Sequence, residues 1–153
     1  MPGAGCGSGV DPGVAGAAGA TGAAGAQGNG SSGDVTISAD GLRVAFESSA
    51  TNVVPEDTDN TNDILTRDLT ANTTSLVSRA DGAAGAPGDG SSTDASISAD
   101  GRIVAFETIA TNLGSASTIG SQNSVIAVRR LTDATTTLAS RADGAAGARL
   151  TPA

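Results

Sequence analysis

The densest set of oxygen ligands in the chain lies in Asp57-Thr58-Asp59-Asn60-Thr61-Asn62-Asp63. Carboxylates at alternating positions of a loop can converge on one hard cation, as calcium-binding loops do. This loop lacks the glycine that such loops use for their sharp turn, and no bidentate glutamate follows at the usual distance. The competing reading is a polar surface turn whose Asp and Asn side chains bond their own backbone. The incomplete ligand set favours the turn. Asp57, Asp59 and Asp63 are therefore the one metal candidate, calcium is the one ion considered, and no other cofactor is expected.

Two further acids recur at matching places. Asp40-Gly41 and Asp100-Gly101 are both two-residue hairpin signals, because Gly supplies positive φ without steric cost and Asp tolerates it. Turn chemistry accounts for all four residues without a catalytic role. Glu47 and Glu107 each follow a phenylalanine and are expected to face Arg67 and Arg129 across neighbouring strands, as cross-strand charge pairs do.

What the chain lacks is more decisive. With no His, it has no Ser-His-Asp or Cys-His nucleophile and no His-based metal site. With no Lys, it has no Ser-Lys dyad, Schiff base or P-loop. Cys6 stands alone, so neither an intrachain disulfide nor a zinc site can form. Its Gly3-Ala4-Gly5-Cys6 setting has no basic start and no apolar run before it, so an export signal is not read there. No independent enzyme is expected.

Eight Arg against sixteen acidic residues give a net charge of −8, and the only aromatic residues are two Phe. Nucleic acid needs positive surface and stacking rings, and an anionic membrane needs positive surface; the chain offers neither. No stretch is long and apolar enough for a transmembrane helix.

The framework that must position these residues is a repeat. Ile37-Ser38-Ala39-Asp40-Gly41 and Val44-Ala45-Phe46-Glu47 return sixty residues later as Ile97 to Gly101 and Val104 to Glu107. Ser78 to Ala86 returns, after sixty-two residues, as Ser140 to Ala148. Matching periods mean two copies of one structural unit. Period-two alternation and β-branched residues predict strands over 34–38, 42–47, 63–69 and 73–79, then over 95–98, 103–107, 125–131 and 135–141. No apolar stretch keeps a helical period. Ile103-Val104-Ala105-Phe106 is almost continuously apolar, which predicts burial on both faces, as in a sheet held between neighbours.

Gly and Ala crowd the remainder. Residues 1–33 are read as a flexible leader, 34–81 as the first unit, 82–93 as a connector, 94–143 as the second unit and 144–153 as a connector-like tail. Large aliphatic and aromatic side chains are few, so a lone unit is expected to be marginal.

The ordered set Ser38-Ala39-Asp40-Gly41, Val44-Ala45-Phe46, Ala50-Thr51-Asn52 and Arg67-Asp68-Leu69 resembles the TolB-type or WD40-like β-propeller repeats of bacteria. The second copy gives Ser98-Ala99-Asp100-Gly101, Val104-Ala105-Phe106, Ala110-Thr111-Asn112 and Arg129-Arg130-Leu131. The resemblance implies an all-β chain of two four-stranded antiparallel propeller blades. It also implies a non-catalytic binding scaffold for protein or peptide, located in the envelope or outside the cell. Propellers close with about four to eight blades, so two predict a fragment of a longer propeller, the reading favoured here, over a chain that completes its ring by oligomerising. The rival expectations are a calcium-stabilised surface module and the propeller part of a peptidase whose catalytic domain lies elsewhere.

Overall fold

The computed structural model describes residues 25–113 and 123–141. Among them the regular elements are strands: β1 (Ser32–Ile37), β2 (Arg43–Ser48), β3 (Asp63–Asp68), β4 (Thr73–Leu76), β5 (Ser92–Ile97), β6 (Ile103–Thr108), β7 (Val125–Arg130) and β8 (Thr135–Leu138). They form two antiparallel four-stranded meanders, β1-β2-β3-β4 and β5-β6-β7-β8. The all-β, two-sheet expectation holds, and the two sheets do not close into a ring. No helix among the described residues is long and apolar enough to cross a membrane.

Alternation along the strands decides which sheet face meets what. Ala45 and Ile64 point from the first sheet toward the second and pack there with Ala95, Val104, Phe106, Ala127 and Leu138. Their strand neighbours Phe46 and Leu65 point the other way, into a smaller cluster with Val53, Val54 and Leu76. Strand β5 sits at the junction and touches β1, β2 and β3. The interface also carries backbone bonds: the Ala39 N–H donates to the Ala99 carbonyl at 2.9 Å.

Each first hairpin carries a bulge. The register of β1 on β2 slips between Gly33 and Thr36, and that of β5 on β6 slips between Thr93 and Ser96. Asp34 and Asp94 absorb the extra residue at φ 40° and 55°. Asp is among the few side chains that accept the left-handed region, and bulges sharpen local twist.

The turns are wider than the two-residue hairpin expected from Asp-Gly. The Ser38 N–H donates to the Arg43 carbonyl and the Gly41 N–H to the Ser38 carbonyl, both at 2.9 Å, so Ala39 to Leu42 form the loop. Gly41 and Gly101 have positive φ, at 70° and 68°, while Asp40 and Asp100 do not. A helical turn closed by one left-handed Gly replaces the two left-handed residues of the tighter form.

The Gly/Ala-rich stretches need a larger correction. Strands β1 and β5 begin at Ser32 and Ser92, inside the segments read as leader and connector. Residues 79–88 fold back on themselves, with the Ala80 N–H donating to the Ala86 carbonyl at 2.9 Å and the Gly88 N–H to the Ser78 carbonyl at 2.8 Å. Gly30 and Gly90 lie flat on the next loop. A Cβ on Gly30 would stand 2.6 Å from the Ser49 carbonyl oxygen, and one on Gly90 would stand 3.2 Å from the Ala110 backbone. Here glycine answers a close approach rather than a need for flexibility. Residues 1–24 of the expected leader, Cys6 among them, residues 114–122 and the expected tail at 144–153 lie outside the described residues.

Candidate functional site

Asp40 and Asp100 do what turn chemistry requires. The Ser38 hydroxyl donates to Asp40 at 2.6 Å and the Leu42 N–H at 2.9 Å. Ser98 and Arg102 repeat the pattern on Asp100. The serine hydroxyl first, and then the backbone donor, hold both carboxyls below the usual Asp value. Both carboxylates are committed to local donors.

The Ala-Thr-Asn motif, which the sequence offered only as part of a resemblance, has a mechanical role. The Asn52 amide donates to the Gln27 carbonyl at 2.9 Å, and the Thr51 N–H donates to Asn29 at 2.9 Å. Asn112 and Thr111 hold Pro87 and Asp89 in the same way. Each motif clasps the glycine-rich segment that leads into its own unit.

Asp57, Asp59 and Asp63 come together. One oxygen from each lies within 4.8 Å of the others. Asp59 behaves as the surface-turn reading predicts, accepting from the Thr61 N–H and hydroxyl at 2.7 and 2.6 Å. Asp57 and Asp63 do not, because both are buried. Asp63 accepts from the Ser78 hydroxyl, which in turn accepts from the Ile64 N–H at 3.0 Å. Burial pushes the Asp63 carboxyl up to about 6 against the lowering effect of Ser78. Burial also raises Asp57, although the Asp59 N–H leans toward it and offsets part of the rise. Neither Asp57 oxygen meets a hydrogen-bond partner of good geometry.

The expected pairing of Glu47 with Arg67 and of Glu107 with Arg129 is not found. Register sets Glu47 opposite Ile64 and Arg67 opposite Val44, and in the second sheet Glu107 opposite Ile126 and Arg129 opposite Val104. Glu47 instead accepts from the Asn62 amide at 3.3 Å. Burial, and then Asp34 and Asp94, raise its carboxyl above the usual value.

Arg129 is buried in the interface, where its guanidinium donates to the carbonyls of Arg79, Ala80 and Gly82 at 3.2, 3.0 and 3.0 Å. It also donates to the Thr136 hydroxyl at 2.7 Å. Thus an arginine of the second sheet staples the hairpin that leaves the first. The equivalent Arg67 makes only the local bonds, to Thr74 at 3.1 Å and Asn72 at 3.3 Å. The sequence signal was present: each arginine stands seven residues before a threonine on the next strand.

Equivalent positions are covered in one unit and open in the other. Ala95 on β5 is 6% exposed, whereas Val35, at the same place on β1, is 68% exposed. Ile64 is 0% exposed beneath the second sheet, and its counterpart Ile126 is 40% exposed. The chain therefore presents one leading face on the first sheet and one trailing face on the second. No protein-family model and no curated protein sequence matches the chain.

Proposed function

We propose that the chain is a non-catalytic scaffold of propeller-type blades that acts by stacking, and that its open faces take up further blades of the same kind from a second copy. The observation that carries this reading is that positions of the buried interface recur on faces that are only partly covered. Phe46, Arg67 and Thr74 occupy the leading face at the places where Phe106, Arg129 and Thr136 meet the first sheet. Ala105, Ile126 and Val128 occupy the trailing face at the places where Ala45, Ile64 and Thr66 meet the second. A surface that already fits one neighbour fits the next by the same contacts.

The sequence of the receiving hairpin is repeated as well. Arg141-Ala142-Asp143-Gly144 has the sequence of Arg79-Ala80-Asp81-Gly82, whose carbonyls hold Arg129. In a head-to-tail pair, Arg67 of one copy meets that sequence in another. The leading and trailing faces differ, so the contact is heterologous and builds rings or open stacks. The ordered Ser-x-Asp-Gly, Phe and Ala-Thr-Asn resemblance to TolB-type repeats supports the same reading.

Light scattering after size exclusion tests it over a concentration range from about 1 μM to about 1 mM, the span of weak specific association. The expected result is a mass that rises with concentration and falls back to one chain in Arg67→Glu. A single-chain mass throughout the range would exclude self-stacking and point to a different protein as the occupant.

A further inference from the structure

We infer that Asp57, Asp59 and Asp63 bind one calcium ion in the first unit. Proximity alone would not carry this, since acidic loops are common. The deciding feature is Asp57, which is 2% exposed and has both carboxylate oxygens buried without a hydrogen-bond partner. A buried carboxylate with one poorly aligned N–H near it and no counter-charge is strongly unfavourable. Among the described residues the ion pairs are Arg43–Asp68 and Arg79–Glu56, and neither reaches this cluster. One Asp57 oxygen instead lies within 4.8 Å of oxygens from Asp59 and Asp63.

The second unit shows that the sheet itself does not need these acids. Val125 stands where the first unit has Asp63, and it joins the apolar core. The Ser78 hydroxyl that braces Asp63 is repeated as Ser140, which still accepts from the Ile126 N–H at 2.9 Å. The backbone support is common to both units, and the carboxylates are an addition to one of them.

Ligand chemistry selects the ion. All three donors are carboxylates and the chain contains no His, so a hard cation is favoured over zinc or copper. Two unengaged oxygens on Asp57 allow bidentate binding, which the flexible shell of calcium accepts and the strict octahedron of magnesium resists. With Asp59 open to solvent, an affinity on the order of 0.1–1 mM is expected.

The test is thermal unfolding by circular dichroism, with isothermal titration, on the full chain at constant ionic strength. CaCl₂ at about 10 mM is expected to raise the midpoint by about 5 °C, and MgCl₂ by clearly less. Asp59→Asn changes an exposed side chain, so the fold is kept and the calcium shift is lost. Asp57→Asn is expected to lose the shift and to unfold at a higher temperature than the parent in EDTA, because the uncompensated charge is gone. Asp94→Asn is expected to respond like the parent. Equal shifts with calcium and magnesium, or a full calcium shift in Asp59→Asn, would overturn the assignment. None of these readings depends on whether copies stack.

Discussion

Arg129 and Arg67 hold the same place in two copies of one unit and have different partners, which makes them a natural comparison. Arg129 satisfies three carbonyls of the preceding hairpin from a buried position; Arg67 reaches only its own strand and turn. Truncating a buried donor leaves its acceptors unpaired, so Arg129→Ala is expected to cost about 3 kcal/mol in urea unfolding. Arg67→Ala in a dilute single chain should cost within about 1 kcal/mol, as half-exposed polar contacts do. The sequence showed both arginines and misassigned them. It supplied charge and strand, whereas the register of β2 on β3 and of β6 on β7, which decides what lies opposite, is closed across long loops whose length does not fix it. The same limit applies to the acids: the spacing of Asp57, Asp59 and Asp63 was legible, but the burial of Asp57 was not.

Asp100 allows a check on sign. Its carboxyl is held low by the Ser98 hydroxyl and then the Arg102 N–H, and the unfolded chain lacks both contacts. A lowered folded-state value stabilises the fold above the ordinary Asp value near 3.8 and loses that contribution as pH falls through the folded value. Asp100→Asn is therefore expected to melt below the parent at neutral pH, with the gap closing as the solution is acidified below about 4. A gap that stays constant down to pH 2 would mean that the ionised carboxylate is not what matters.

At the scale of elements, the strands were readable because alternation and β-branching are local properties, and the Asp-Gly turns because Gly is the cheapest left-handed residue. The glycine-rich stretches were misread because composition does not distinguish a flexible glycine from one pressed against a backbone. Gly30 and Gly90 are of the second kind, each clasped by an Ala-Thr-Asn loop. Gly30→Ala is expected to destabilise by about 2 kcal/mol or more, because the obstructing atoms are backbone and cannot turn aside. Gly41→Ala, with open space around its Cβ but φ at 70°, should cost about 1 kcal/mol from strain alone. Chemical denaturation of both variants separates crowding from strain. The same contrast distinguishes the two phenylalanines: Phe106 fills the core between the sheets, while Phe46 is half-buried on the leading face.

For the whole molecule, stacking and charge act against each other. Each copy carries −8, so approaching copies repel at low salt. In the contact it copies, the charged members Arg129, Arg43 and Asp81 bond neutral carbonyls and a backbone N–H rather than one another, so salt has little to weaken there. Raising sodium chloride from about 20 mM to about 300 mM shortens the screening length from roughly 20 Å to roughly 6 Å. That change should remove most of the repulsion and leave the contact intact. Association measured by sedimentation is therefore expected to tighten with salt, and Phe46→Ala to loosen it at both concentrations. Interfaces held by ion pairs behave in the opposite way, losing affinity as their charges are screened. Weakening by salt would mean that the copies meet through charged side chains elsewhere on the surface. Tightening, together with the loss in Phe46→Ala, would locate the contact on the leading face, where the second unit already shows how such a face is covered.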